Sequence, residues 1–282
     1  MLLFLHIEKC AGTTIISHFR NQLPYESIDV LTRKNKVCFQ DIKIAKKLYA
    51  GAKVCSGHSI TPDRIDVFEQ LFGDVQTLSI IRDPIERVIS NYVHDVRRGK
   101  WDADLSSYLR IPWKHNYLLR FLGGGRVEYG FRASEEIDFL LPVDQFEQCL
   151  PVVFESTKLN ILTSLTKKNE SSGTLMPKDV KIYGGVPVGI YCIREDEYDY
   201  ASRVNKLDVE FWNSVKSNFA PYPIKEAGDG EVNSNTSRCK VRLASLYRNM
   251  IYKPMVLRQF GYHALPRNSQ NPGRVSENEA FV

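Results

Sequence analysis

Three short stretches of this sequence combine residue types and spacings that could do chemistry. The first is His6-Ile-Glu-Lys9-Cys-Ala11-Gly12-Thr13-Thr14, which follows an apolar run and opens a helix pattern. Free backbone N–H groups and the dipole at a helix start make an anion cradle. Gly12 permits close backbone approach, Ala11 contributes an amide, Thr13 and Thr14 offer hydroxyl donors, and Lys9 adds a point charge. The lysine precedes the glycine, so the GxxxxGK[ST] pattern is absent. The second stretch is Ile81-Arg82-Asp-Pro-Ile-Glu-Arg87-Val-Ile-Ser90-Asn-Tyr92. Arg82, at a strand end before a helix, can grip a phosphate with two donors. Ser90 lies about two turns on, away from Ile85 and Ile89. The third is Cys55-Ser-Gly57-His58, where a histidine after glycine has the freedom and ordinary pKa of a general base. His94 and His115 are equally available by composition, and placement favours His58.

Each stretch also has an ordinary structural reading. Lys9 could be a surface lysine, Arg82 an ion-pair partner and Ser90 an exposed helix residue. Arg87, beside Glu86 at a helix start, could simply pair locally. Only the combination carries weight.

The elements that would position these groups alternate strand and helix over the first hundred residues, the pattern of an α/β sheet. Strands are expected at Leu2 to Ile7, Lys53 to Ser56 and Val75 to Ile81, each ending at one of the three stretches. In open α/β sheets ligands bind at that edge. Ile15, Ile16, Phe19 and Leu23 share one helix face, with Thr13 or Thr14 as its cap. Asp41 to Tyr49, Thr61 to Gly73 and Asp83 to Gly99 read as further helices, the last opened by Asp83-Pro84-Ile85-Glu86. Beyond them, helices are expected at Trp113 to Leu122, Val143 to Leu150, Lys158 to Lys167 and Glu195 to Phe219. A further strand is expected at Val152 to Phe154.

The chain has 282 residues, 43% hydrophobic and 25% charged, an ordinary globular composition. Met1 to Leu5 is too short for a membrane span or signal-peptide core, so no export signal is expected. The six cysteines show no CxxC pair or metal-ligand spacing and read as free thiols in a reducing compartment. From Val232 to Ser276 there are eight basic and no acidic residues, leaving the rest of the chain at +5 − 8 = −3. Such an arm suggests an anionic partner, or a solvated helix face.

Taken in order, the three stretches resemble the carbohydrate sulfotransferases. HIEKCAGTT resembles their HIPKTGGTS-type 5′-phosphosulfate loop, with Glu8 in place of proline and Cys10-Ala11 in place of threonine–glycine. SIIRDPIERVISNY resembles their 3′-phosphate motif. SGH resembles the histidine motif of the uronyl 2-O-sulfotransferase branch, so heparan sulfate 2-O-sulfotransferase-like enzymes are the nearest type. Weaker echoes are Asn116-Tyr-Leu-Leu-Arg120, Val153-Phe-Glu155 and Asn205-Lys-Leu-Asp208.

The resemblance implies a three-layer, P-loop-like α/β fold with a central parallel sheet flanked by helices. It implies a sulfotransferase domain over 1–228, a basic helical extension over 229–266 and a flexible tail over 267–282. The donor would be 3′-phosphoadenosine-5′-phosphosulfate (PAPS), the product 3′-phosphoadenosine-5′-phosphate (PAP), and no metal would be needed. Lys9, Ala11, Gly12, Thr13 and Thr14 would hold the phosphosulfate, Arg82 and Ser90 the 3′-phosphate. Lys9 and His58 would be catalytic. The acceptor would be a carbohydrate, met by Arg97, Arg98, Lys100, Trp113, Lys114, Asn116 and Glu155. Residues 238–258 would touch a membrane surface or anionic glycan, and no nucleic acid is implied. A bacterial cytoplasmic location is expected, or the Golgi lumen if the chain is a piece of a eukaryotic enzyme. Two other readings stand: a P-loop nucleotide phosphotransferase, and a non-catalytic module binding anionic glycans on the same fold.

Overall fold

The computed structural model describes residues 1–30, 39–48, 51–161, 182–183, 186–187 and 193–219. The expected basic extension and tail lie outside these residues, as does most of the helix expected from Lys158. Five strands form the main sheet: β1 (Leu2–Leu5), β2 (Ser27–Asp29), β3 (Val54–Gly57), β4 (Gln76–Ile81) and β5 (Phe139–Pro142). All pair in parallel, in the order β2-β3-β1-β4-β5. Leu2, Leu3, Phe4 and Leu5 are all buried. Successive strand residues point to opposite faces, so both faces are covered by helices, the three-layer α/β arrangement expected from the sequence. Continuous apolar strands are what such burial requires.

Polar pins set the sheet's register. The buried Ser79 hydroxyl donates to the Leu5 carbonyl at 3.0 Å, across the β1–β4 pair. Asp138 accepts from the backbone N–H and the hydroxyl of Thr77 at 2.7 and 2.8 Å, and Thr77 Oγ1 accepts from the Asp138 N–H. This clamp fastens β5 to β4.

The helices in the first hundred residues follow their sequence signals closely. They are α1 (Gly12–Gln22), α2 (Phe39–Leu48), α3 (Ile65–Phe72) and α4 (Pro84–Arg97). Asp83 caps α4, its carboxylate accepting from the N–H groups of Ile85 and Glu86. Gly73, at φ 78°, ends α3. After them come α5 (Leu105–Leu109), α6 (Tyr117–Leu122), α7 (Val127–Glu135), α8 (Phe146–Ser156), α9 (Glu195–Val204) and α10 (Lys206–Asn218).

The middle of the chain departs from the sequence reading. Val152 to Phe154 is not a strand but part of α8, and the fifth strand is Phe139–Pro142. Phe146, Cys149, Leu150, Val153 and Phe154 are all buried at helical spacing. That amphipathic stripe outweighs the β propensity of two valines. The helix expected from Trp113 begins only at Tyr117, after a tight turn over Pro112–Lys114 and a left-handed Asn116. The single helix expected over Glu195 to Phe219 is broken at Asn205 into α9 and α10.

These two interruptions meet. The Asn116 N–H donates to Asn205 Oδ1 at 2.9 Å, and Asn116 Oδ1 accepts from the Asp208 N–H at 3.1 Å. The Asp208 carboxylate accepts from the N–H groups of Leu118 and Leu119, the first turn of α6. Asp208 is therefore a cap supplied by a distant helix.

Burial pushes the Asp208 carboxyl up to about 6, although those two N–H groups and the Arg87 and Arg120 charges pull it down. The folded protein then holds one more proton than the unfolded chain between the ordinary carboxyl range and about pH 6. Stability should fall as pH rises through that window, by at most about 1.4 kcal/mol per pH unit. It should level off above it. Urea unfolding across pH 4–8 checks this, and Asp208→Asn should remove the slope while lowering stability throughout.

Candidate active site

The loop between β1 and α1 carries two non-glycine residues in left-handed conformations, Lys9 at φ 68° and Ala11 at φ 56°. Each such residue costs about 1–2 kcal/mol, and strain of this kind collects at ligand-holding loops. The sequence reading put the cap of α1 at Thr13 or Thr14. Instead Ala11 is the N-cap, with no side-chain hydrogen bond to the first turn. Its shape comes from the backbone turn itself, with Thr13 exposed and Thr14 buried. The Thr14 and Ile15 N–H groups donate to the Ala11 carbonyl, and the N–H groups ahead of them have no carbonyl one helical turn back.

Cys10 anchors this loop to the sheet. Burial pushes its thiol up to about 12, so it stays protonated and donates to the Glu8 carbonyl across 3.7 Å. The Arg87 and Arg82 charges and the Arg82 backbone N–H oppose that rise, so Cys10 lies by the end of β4. Burial lowers the Lys9 ammonium from its usual range, and the Glu8 and Asp95 charges oppose the shift. Glu8 also bears on Tyr108, Lys114 and Tyr117. Its charge also helps Lys9 keep its proton.

At the end of β3, His58 is exposed and its ring stacks on that of His6, with centroids 3.8 Å apart. His58 Nδ1 lies 3.2 Å from the His6 carbonyl oxygen. A carbonyl only accepts, so Nδ1 carries the proton and Nε2 keeps its lone pair. The His6 ring itself is buried and abuts Gly12, where any Cβ would overlap it. Gly12 is required here by close approach. Burial, then the charges of His58 and Arg20, lower the His6 imidazole to about 3. His6 stands inside the first motif, but the sequence offered no sign that its ring joins the loop to His58.

Arg82 emerges from β4 and pairs with Glu86, Nε to Oε2 at 3.0 Å. The local pairing with Glu86 that is one reading of Arg87 is not the arrangement found, since Glu86 is with Arg82. Arg87 is fully buried, its guanidinium 4.4 Å from the centre of the Tyr117 ring. None of its three nitrogens has a hydrogen-bond partner among the described residues. Ser90 is half-buried further along α4. From the last turns of α4 the charges of Asp95 and Arg97 reach Lys9, and the Lys9 charge reaches His94. His94 is a neighbour of the site that spacing alone did not single out.

The expected acceptor residues divide. Lys114 lies 3.4 Å from Asp95 and over the Tyr108 ring, and Tyr108 donates to the same carboxylate at 2.7 Å. Trp113 is 47% exposed, large enough a free face for a sugar ring. Arg97, Arg98 and Lys100 are exposed at the C-terminal end of α4. Asn116 joins α6 to α10, its amide oxygen accepting from the Asp208 N–H at 3.1 Å. Glu155 is elsewhere. It ends α8 beside Ser156, whose hydroxyl accepts from Gln76 at the amino end of β4, the opposite edge of the sheet. The motif echo had placed it after a strand, and that strand is helix.

A strained loop, an arginine and a histidine, each after one of three adjacent parallel strands, gather at the carboxyl edge of a P-loop-like α/β sheet. The comparisons carry this further. The model described as the sulfotransferase family matches residues 1–115, so this part of the chain is similar to that family. The match contains all three motifs. A comparison with curated proteins found no match.

Two substitutions probe the loop. Gly12→Ala should destabilise the protein by about 1–3 kcal/mol, because the buried His6 ring must move. Ala11→Gly should stabilise it by about 1 kcal/mol by relieving the left-handed strain. Thermal unfolding of the two variants checks both signs.

Proposed function

We propose that the protein transfers a sulfuryl group from PAPS to a hydroxyl of a carbohydrate. The observation that carries this reading is the meeting of the Lys9–Thr14 loop, Arg82 and His58 at the ends of β1, β4 and β3. The residues present suit such a donor. The loop offers N–H groups and a lysine for the 5′-phosphosulfate. Arg82 and Ser90, on the neighbouring strand end and helix, suit a second phosphate. Binding there requires Arg82 to exchange its Glu86 partner for the phosphate, or to use its other nitrogens.

In the reaction His58 Nε2 takes the proton of the acceptor hydroxyl as its oxygen attacks sulfur. The bond from sulfur to the bridging phosphate oxygen breaks, and the electron pair leaves with the phosphate. Lys9 and the α1 amides balance the charge growing there. Such work is positioning and electrostatics. The His58 contribution is of the order of 10²–10⁴-fold. Trp113, Lys114 and Arg97 are the groups best placed to meet a sugar. Contact of segment 238–258 with an anionic glycan or membrane surface belongs to the same reading.

Transfer of labelled sulfate from PAPS to a panel of glycans tests it. His58→Ala should lower turnover about 10²–10⁴-fold with PAP binding retained, and Arg82→Ala should weaken PAP binding. Preference for ATP with Mg²⁺ dependence would point instead to a phosphotransferase. Polyanion binding without transfer to any glycan would point to a binding module.

A further inference from the structure

His6 has no part in the reaction just described, yet both halves of the site rest on it. It follows β1 as His58 follows β3, and the pairing of Leu5 with Gly57 sets the two histidines side by side. Their rings lie 27° from parallel with centroids 3.8 Å apart, and the Phe4 ring stacks on His6 at 5.5 Å. On the loop side, the His6 ring occupies the space a side chain at residue 12 would need. His6 is 6% exposed, whereas His58 is open to solvent. One ring is therefore fixed on several sides, and the other leans on it.

We propose that the His6 side chain is a positioning residue for His58: a buried, flat plate that fixes the plane of the base and, through Gly12, ties that plane to the donor loop. The inference rests on the sulfuryl-transfer reading and deepens it. The His6 carbonyl selects the tautomer of His58, a task any residue at position 6 could perform. Only the ring can set the orientation. The charged groups that bear on His6 are His58 after β3 and Arg20 on α1. With its own proton driven off by burial, His6 does not compete for the proton His58 receives. Stacking of this kind also tolerates a cationic partner, since an aromatic face attracts an imidazolium.

The test uses the full chain with His6→Ala, His6→Phe and His58→Ala, with PAP binding as the measure of an intact loop and fold. Long-range proton–nitrogen spectra of histidine-labelled protein should show His58 as one tautomer, protonated at Nδ1, in the parent. The same pattern should hold in His6→Phe and give way to averaging in His6→Ala. With an acceptor from the glycan panel, His6→Ala should lower kcat by about 10–100-fold with PAP affinity little changed. His6→Phe should recover most of that loss with an unaltered pH profile. An unchanged His58 spectrum and full kcat in His6→Ala would overturn the proposal. So would a loss of PAP binding in His6→Ala that accounts for the whole effect, or a displaced pH profile in His6→Phe. If His58→Ala keeps full turnover, the base assignment itself falls and the positioning role falls with it. If His58→Ala is inactive while His6→Ala is not, only the positioning role is lost.

Discussion

The register of three parallel strands is the constraint on which the site depends. β1 lies between β3 and β4, with Leu5 opposite both Gly57 and Ser79. Their carboxyl ends therefore open at nearly the same level, and the Ser79 hydroxyl holds the β1–β4 pair there through the Leu5 carbonyl. A slip of one residue would turn every buried strand side chain to the other face. It would also carry His58 away from His6 and Arg82 away from Cys10. Polar pins placed inside the sheet make such a slip costly, because each buried donor or acceptor would lose its partner.

A second level of organisation keeps α4 and its neighbours against the loop. Asp208 and Asn205, on the distant α9–α10 pair, hold Asn116 and the start of α6. Tyr117, which opens α6, supplies the ring face beneath the buried Arg87 of α4. Asp95, Tyr108 and Lys114 then form a charged and aromatic cluster at the other end of α4. Residues nearly ninety positions apart thus set the surroundings of Lys9. The arrangement sets partly buried charges side by side. That is marginal for stability but leaves Lys9 in a field shaped by Glu8, Asp95, Arg82 and Arg97.

Legibility in the sequence tracked how local each cause was. The strands β1, β3 and β4, and the helices between them, announce themselves through short apolar runs and terminal signals such as Asp83-Pro84 and Gly73. The later elements were harder, since β5 follows a run of helices, without the strand–helix alternation of the first hundred residues, and is joined to β4 by the Thr77–Asp138 clamp. In α8 two valines suggested a strand, and only the spacing from Phe146 to Phe154, buried against the sheet, makes it a helix. Glu155 was misplaced with it.

By itself, the sequence determined the chemistry on offer: a lysine and threonines around Gly12, an arginine after one strand and a histidine after another. Those are consequences of residue type and local spacing, which the chain carries before it folds. Only the tertiary structure decided which of them meet. It set His6 against His58, buried Arg87 on Tyr117 instead of pairing it with Glu86, and used Asn116 as a joint between helices. Each of those outcomes depends on contacts between segments far apart in the chain, where burial and the need to satisfy polar groups outweigh anything a neighbouring residue can signal.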